Sequence, residues 1–122
     1  MSWNFKSDQP IYSQIIERIQ IRIVQGQYPP GSRLPSVREL ALEAGVNPNT
    51  VQRAYADLEQ NGFLRTERTN GKFVTEDEEM LRRLRMSLSK GYIEEFFHKM
   101  KELGFDEQGI FETIRAEKGE IK

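Results

Sequence analysis

The sequence contains no cysteine, a single histidine, and no apolar run approaching the roughly 18 residues of a membrane-spanning helix. Without cysteine there is neither a disulfide nor a thiolate metal site, which fits the cytoplasm. Met1 to Lys6 lack a basic segment followed by an apolar one, so no signal peptide is expected. The lone histidine, His98, lies beside Phe97 on an amphipathic stretch and reads as a solvent-edge or interface side chain. No glycine-rich phosphate loop is present. The 19 carboxylates fall mostly at helix starts or opposite Lys and Arg rather than as pairs in an evident cleft. These absences argue against an enzyme, and no cofactor or metal is assigned.

A strong charge of one sign is also missing. The formal net charge is −1, so bulk electrostatics do not announce a nucleic-acid partner. The halves nonetheless differ. Residues 1–75 hold 9 Lys+Arg against 7 Asp+Glu, and residues 76–122 hold 9 against 12. The mild excess of cations at the N-terminal end agrees with DNA contact there but does not by itself suggest it. At 122 residues the chain has room for one domain and an appendage.

What is present is concentrated between Arg33 and Leu64, RLPSVRELALEAGVNPNTVQRAYADLEQNGFL. Ser36 is a good N-cap and Glu39 follows at the capping-box spacing. Val37, Leu40, Ala41 and Ala44 then make one apolar stripe, and Gly45 stands where a chain leaving a helix often needs positive φ. Val46 can pack inward from the turn. Asn47 is the next N-cap, with Pro48 at the first helical position, where its missing N–H costs nothing. Val51, Ala54, Tyr55 and Leu58 form the inward face of the second helix, which Asn61-Gly62 ends. Two short capped helices joined by a tight turn are the shape of a helix-turn-helix. Asn49, Thr50, Gln52 and Arg53 remain on the outer face. Amides, a hydroxyl and a guanidinium fork are groups that address base edges and phosphates.

Pro10 to Gln25 is expected to be a helix, with Pro10 at its first position. Ile11, Ile15, Ile16, Ile19, Ile23 and Val24 form a wide stripe with Tyr12 beside it, and Gly26 stops the helix. Trp3 and Phe5 read as packed anchors. Phe63 to Val74 reads as a hairpin, with Asn70-Gly71 as a two-residue turn in which both positions take positive φ. Arg65, Arg68 and Lys72 surround its tip, so it reads as a wing that touches phosphate or the minor groove.

The run Pro29 to Ala41, PPGSRLPSVRELA, resembles the GntR-family signature PPGxxLPSxRxLA. Asn49 to Glu59, NTVQRAYADLE, is similar to the NTVxRAYxxLE form of that family's recognition helix. The resemblance covers roughly residues 9 to 75. It implies a winged helix-turn-helix, a bacterial transcription regulator, and a Gly71 that lets backbone approach DNA closely. Only 47 residues remain beyond residue 75, which resembles the short YtrA-type subgroup.

In that tail, Thr75 is expected to cap a helix reaching about Leu103. Glu76, Asp77, Glu78 and Glu79 fall in its first turn, and Gly91 marks a weak point or kink. Asp106 caps a last helix carrying Ile110, Phe111 and Ile114, and Ala116 to Lys122 are expected to fray. Two helices of this length cannot enclose Phe96, Phe97, Met100, Leu103, Phe105, Phe111 and Ile114 alone. The least elaborate cover is the same tail from a second chain; the alternative is folding back on the chain's own winged helix. The expected dimer interface is Leu84, Leu88, Tyr92, Ile93, Phe96, Phe97, Met100, Phe111 and Ile114.

The expectation is therefore a mainly α protein with a small β-hairpin. Residues 9–75 form a winged helix-turn-helix and residues 76–122 a two-helix dimerisation tail. Function follows as a homodimeric, sequence-specific DNA-binding regulator, a repressor, on an inverted-repeat operator in double-stranded DNA. Asn49, Thr50, Gln52 and Arg53 would read bases or anchor phosphates. Ser36 and Arg38 would clamp the backbone, Asn47 would mainly cap, and Arg68, Gly71 and Lys72 would serve the wing. The alternative is a winged helix that binds another protein; apolar groups on the outer face of the recognition helix would mark it, and that face is polar. A filled dimer core is expected, against a cavity between protomers open to a drug-like or lipid-like effector. The family resemblance suggests a transporter or stress operon as target.

Overall fold

The computed structural model describes residues 3–68 and 70–119. The elements are α1 (Ile11–Gln25), α2 (Val37–Ala44), α3 (Pro48–Gln60), β1 (Leu64–Glu67), β2 (Gly71–Val74), α4 (Glu78–Glu102) and α5 (Glu107–Lys118). They fall into two compact units, Met1–Arg85 and Met86–Lys122.

In the first unit, α3 packs against both α1 and α2. Ile15, Ile19 and Ile23 of α1 lie four residues apart and are buried, as are Leu40, Ala41 and Ala44 of α2 and Val51, Ala54, Tyr55 and Leu58 of α3. Each fully buried isoleucine removes enough apolar surface from water to contribute about 1.5–3 kcal/mol. The α1 stripe is narrower than its sequence suggests. Ile16 and Val24 are half-buried and Ile11 is exposed, because a helix on a small core buries only one line of side chains. Pro10 stands one residue earlier than expected, at the cap of α1.

The caps of the motif follow the sequence closely. The Ser36 side chain accepts from the Glu39 N–H at 3.1 Å while the Glu39 carboxylate accepts from the Ser36 N–H at 2.9 Å. Gly45 has φ 75°, and the Asn47 side chain accepts from the Asn49 N–H at 2.8 Å. Tyr55, buried in α3, donates its hydroxyl to the Pro35 carbonyl at 2.7 Å, tying α3 to the residue that leads into α2. Burial pushes the Tyr55 phenol well up from its ordinary value.

The hairpin pairs Leu64 with Val74 and Glu67 with Gly71. Its turn differs from expectation. The Asn70 N–H bonds the Glu67 carbonyl at 3.1 Å, and Gly71, at φ 94°, follows as the first residue of β2. Asn70 has no positive φ. The loop is thus a three-residue connection closed by a left-handed glycine, a common alternative to the tighter turn. The segment before α2 makes an isolated antiparallel bridge to β2 at Arg33 and Phe73: Leu34 N–H bonds Lys72 O, Val74 N–H bonds Ser32 O, and Gly31 N–H bonds Val74 O, each at 2.9 Å.

Trp3 and Phe5 pack on the core as anchors. The Trp3 indole donates to the Glu43 carboxylate at 2.9 Å, and Arg22 pairs with the same carboxylate. α4 starts later than Thr75 would place it. Asp77 caps it, accepting from the Met80 N–H at 3.0 Å, while the Thr75 hydroxyl accepts from Asp77 N–H one turn earlier. The helix runs through Gly91 without interruption, and Leu81 and Leu84 are buried.

In the second unit, Asp106 caps α5 by accepting from Gly109 N–H at 2.8 Å. Ile110 is fully buried, and Phe97 meets Phe111 edge-on with ring centres 5.6 Å apart. α5 holds through Lys118, so Ala116 is helical; Glu120 to Lys122 lie outside the described residues.

Ile19→Ala should lower unfolding stability by about 2–5 kcal/mol, read as a fall in the denaturant midpoint at unchanged slope. A second expectation concerns pH. The hydrogen bond from Arg22, then that from Trp3, holds the Glu43 carboxyl below its ordinary 4.5. A lowered carboxyl pKa stabilises the fold above the unfolded value, and that contribution is lost as pH falls through the folded one. Glu43→Gln should therefore melt below wild type at pH 7, with the gap closing as the pH is taken down past 4.5.

Candidate nucleic-acid interface

α3 presents one committed face and one open face. With Val51, Ala54, Tyr55 and Leu58 buried, helical geometry turns Asn49, Gln52 and Arg53 to solvent, and Thr50 lies half-buried at the edge. Asn and Gln amides match the adenine edge bidentately, the guanidinium fork matches guanine or phosphate, and the threonine methyl suits thymine. The structure brings Ile11, Tyr12, Asn49, Thr50 and Arg53 together around one shallow depression. Asn47 spends its carbonyl oxygen on the cap and keeps its amide N–H groups. Ser36 likewise spends an acceptor on the cap of α2, leaving its hydroxyl proton to donate. Arg38 is exposed on α2, with no carboxylate in ion-pair range among the described residues.

The wing departs from the sequence reading in one respect. Lys72 does not stand free at the tip: its ammonium donates to the Glu59 carboxylate and to the Thr66 hydroxyl, both at 2.7 Å. Thr66 in turn hydrogen-bonds the same carboxylate. These bonds pin the hairpin to the C-terminal end of α3 and hold the Glu59 carboxyl below its ordinary value. Two of the three ammonium protons are used, so Lys72 is first a strut of the wing. Arg68 is exposed in the turn, whereas Arg65 lies over the Phe73 ring and pairs with Glu67.

Three contributors escaped the sequence reading. Arg33 sits beside the wing: its Nε would be 3.3 Å from a side-chain carbon at Gly71, where the positive φ already favours glycine. Glu59 organises the wing, although in the sequence it looks like an ordinary solvated glutamate. Tyr12 carries the Arg53 guanidinium, whose central carbon lies 3.7 Å from the ring centre. Only Tyr12 left a signal, as an aromatic beside the apolar stripe of α1.

Of the residues expected at a dimer interface, Leu84 is already buried within the chain and offers a partner little surface. Leu88, Phe97, Met100 and Ile114 are half-buried, and Tyr92, Ile93, Phe96 and Phe111 are exposed. Phe96, Met100 and Ile114 line an apolar depression on the second unit. His98 is exposed on α4, 3.8 Å from Glu102.

Comparison with known proteins adds to this geometry. Residues 11–74 match the family of bacterial regulatory proteins, gntR family. The HTH-type transcriptional regulator YhcF of Bacillus subtilis is 41% identical over 95% of this chain and 96% of its own. The HTH-type transcriptional repressor YtrA of the same organism is 33% identical over 96% and 91%. Among solved structures, a GntR family transcriptional regulator from Listeria monocytogenes superposes with a TM-score of 0.82, at 40% identity, over 92% of this chain and 98% of that one. The AraR DNA-binding domain in complex with its operator ORE1 superposes with a TM-score of 0.53, at 31% identity, over 62% and 94%. A capped helix-turn-helix, a pinned wing, and relatives matched over nearly their whole length agree: the chain is a winged-helix, DNA-binding transcription regulator rather than an enzyme, and it belongs to the GntR family, in its short YtrA-type branch.

Proposed function

We propose that the chain works as a homodimeric repressor in the cytoplasm, each protomer laying α3 in the major groove of an inverted-repeat operator. The observation that carries this is the outer face of α3, where Asn49, Gln52 and Arg53 stand clear of the packed core and Thr50 lies at its edge. Arg53 and Gln52 read bases, Arg38 and Ser36 hold the phosphate backbone, and Asn47 caps with a phosphate contact to spare. Arg68 and the backbone at Gly71 supply the wing contacts, with Lys72 bracing them. Residues 9–75 supply DNA binding and residues 76–122 the pairing of protomers.

Dimerisation rests on the second unit. Phe96, Phe111, Tyr92 and Ile93 are exposed on α4 and α5, a larger apolar surface than a lone pair of helices leaves in water. A second copy of the same face closes it symmetrically. Two recognition helices then meet half-sites about one helical turn apart, roughly 34–36 Å. Repression is supported by YtrA, described as a repressor and matched end to end. A transporter or stress operon as target rests on the family resemblance alone.

Selection of duplexes from a random pool with the full chain should return an inverted repeat. On that duplex, at one fixed salt concentration, Arg53→Ala should cost about 1–3 kcal/mol and relax preference at one base position of each half-site. Arg38→Ala should weaken all sequences alike and reduce the salt slope by about 1. Wild-type affinity in both variants would overturn the site. Phe96→Glu with Phe111→Glu should yield a monomer by sedimentation and lower operator affinity about 100-fold or more, with the first unit still folded. A dimer that survives both changes rules out this pairing face.

A further inference from the structure

We propose that Tyr12, on α1 and outside the helix-turn-helix itself, is a positioning residue for base readout: its ring face holds the Arg53 guanidinium in its DNA-contacting orientation. The inference rests on the operator reading above and adds a determinant of its specificity.

The geometry is close. The Arg53 guanidinium carbon lies 3.7 Å from the centre of the Tyr12 ring, against 4.7–5.7 Å for the contacts of Arg22 with Trp3 and Tyr28 and of Arg65 with Phe73. Those two arginines also have carboxylate partners, Glu43 and Glu67. Arg53 has none among the described residues, so the ring is what orients it. Tyr12 can do this because it is itself fixed. It is half-buried on α1, one turn before the buried Ile15 and two before Ile19, and α1 packs on α3.

Stacking and hydrogen bonding use different parts of a guanidinium. The π face meets the ring, while the five N–H bonds point outward in the plane. A stacked Arg53 therefore keeps its whole donor fork for a guanine edge or a phosphate. It also loses less rotamer freedom on binding, since the ring has already restricted it. Asn49 and Thr50 share the same depression, so the oriented fork stands beside two further groups that can address bases.

Orientation and charge then separate. Non-specific binding depends on the count of cations near phosphate, whereas base readout depends on where the fork points. Removing the ring while keeping Arg53 should damage the second and spare the first.

The test uses the full chain and the duplex that wild type selects from a random pool. Tyr12→Leu keeps apolar bulk on α1 but removes the ring; Tyr12→Phe keeps the ring and removes the hydroxyl. Tyr12→Leu should bind the selected duplex about three- to tenfold more weakly, with unchanged affinity for scrambled DNA and an unchanged salt slope. Tyr12→Phe should match wild type. In an Arg53→Ala background, Tyr12→Leu should cost nothing further. In the free protein, the Arg53 Nε–H resonance should show an upfield ring-current shift that Tyr12→Phe keeps and Tyr12→Leu loses.

An equal loss from Tyr12→Leu with or without Arg53 overturns the proposal, as does a Tyr12→Phe variant as weak as Tyr12→Leu, which would make the hydroxyl the contact. Wild-type binding by Tyr12→Leu defeats the role of Tyr12 and leaves the operator reading intact. If wild type selects no duplex, the operator reading fails and this role falls with it, whatever the ring-current shift.

Discussion

The first unit depends on the burial of one face of α3 between α1 and α2. Val51, Ala54, Tyr55 and Leu58 are committed to that contact, and every outward group of the helix is placed by it. Rotating α3 by a fraction of a turn would expose Leu58 and bury Arg53 without a partner, which costs several kcal/mol. The core therefore sets the azimuth of the polar outer face. Tyr55 adds a hydrogen bond from inside the core to Pro35, so the same packing also fixes where α2 begins. The polar outer side chains of α3 point where they do because the opposite face of the helix is committed to packing, with Tyr12 of α1 further restraining Arg53.

Much of this was legible in the sequence because its signals are local. Ser36 with Glu39, Asn47 with Pro48, and the 3.6-residue spacing of apolar side chains need only a few neighbouring residues to be read. The family signature concentrated in residues 29–59 then carried fold and function together. What stayed hidden is non-local. Glu59 meets Lys72 across 13 positions and Tyr12 meets Arg53 across 41, and nothing in periodicity marks either pair. The turn failed for a different reason. Asn-Gly satisfies the tight two-residue hairpin, but Gly71 alone supplies the left-handed residue of the longer loop, so the same dipeptide serves two geometries. At the start of α4, Thr75 and Asp77 are both good caps, and helix propensity alone does not choose between them.

The second unit shows the limit of reading burial from pattern. Among its described residues only Ile110 is fully covered within the chain, although the sequence places many apolar side chains there. Leu84, expected at the same interface as Tyr92, belongs to the first compact unit and is buried. A helix as long as α4 can change what its faces do partway along, and a periodic stripe does not say where.

The bridge that the Gly31 to Leu34 segment makes to β2 has a further consequence. A two-stranded hairpin alone is marginal in water, because half its backbone groups have no partner in the sheet. Here part of the missing side is supplied by the very segment that leads into α2, through three backbone hydrogen bonds with Lys72 and Val74. Fraying of the wing must therefore also release the approach to the helix-turn-helix. The wing and the approach to α2 are thus joined in one hydrogen-bonded patch.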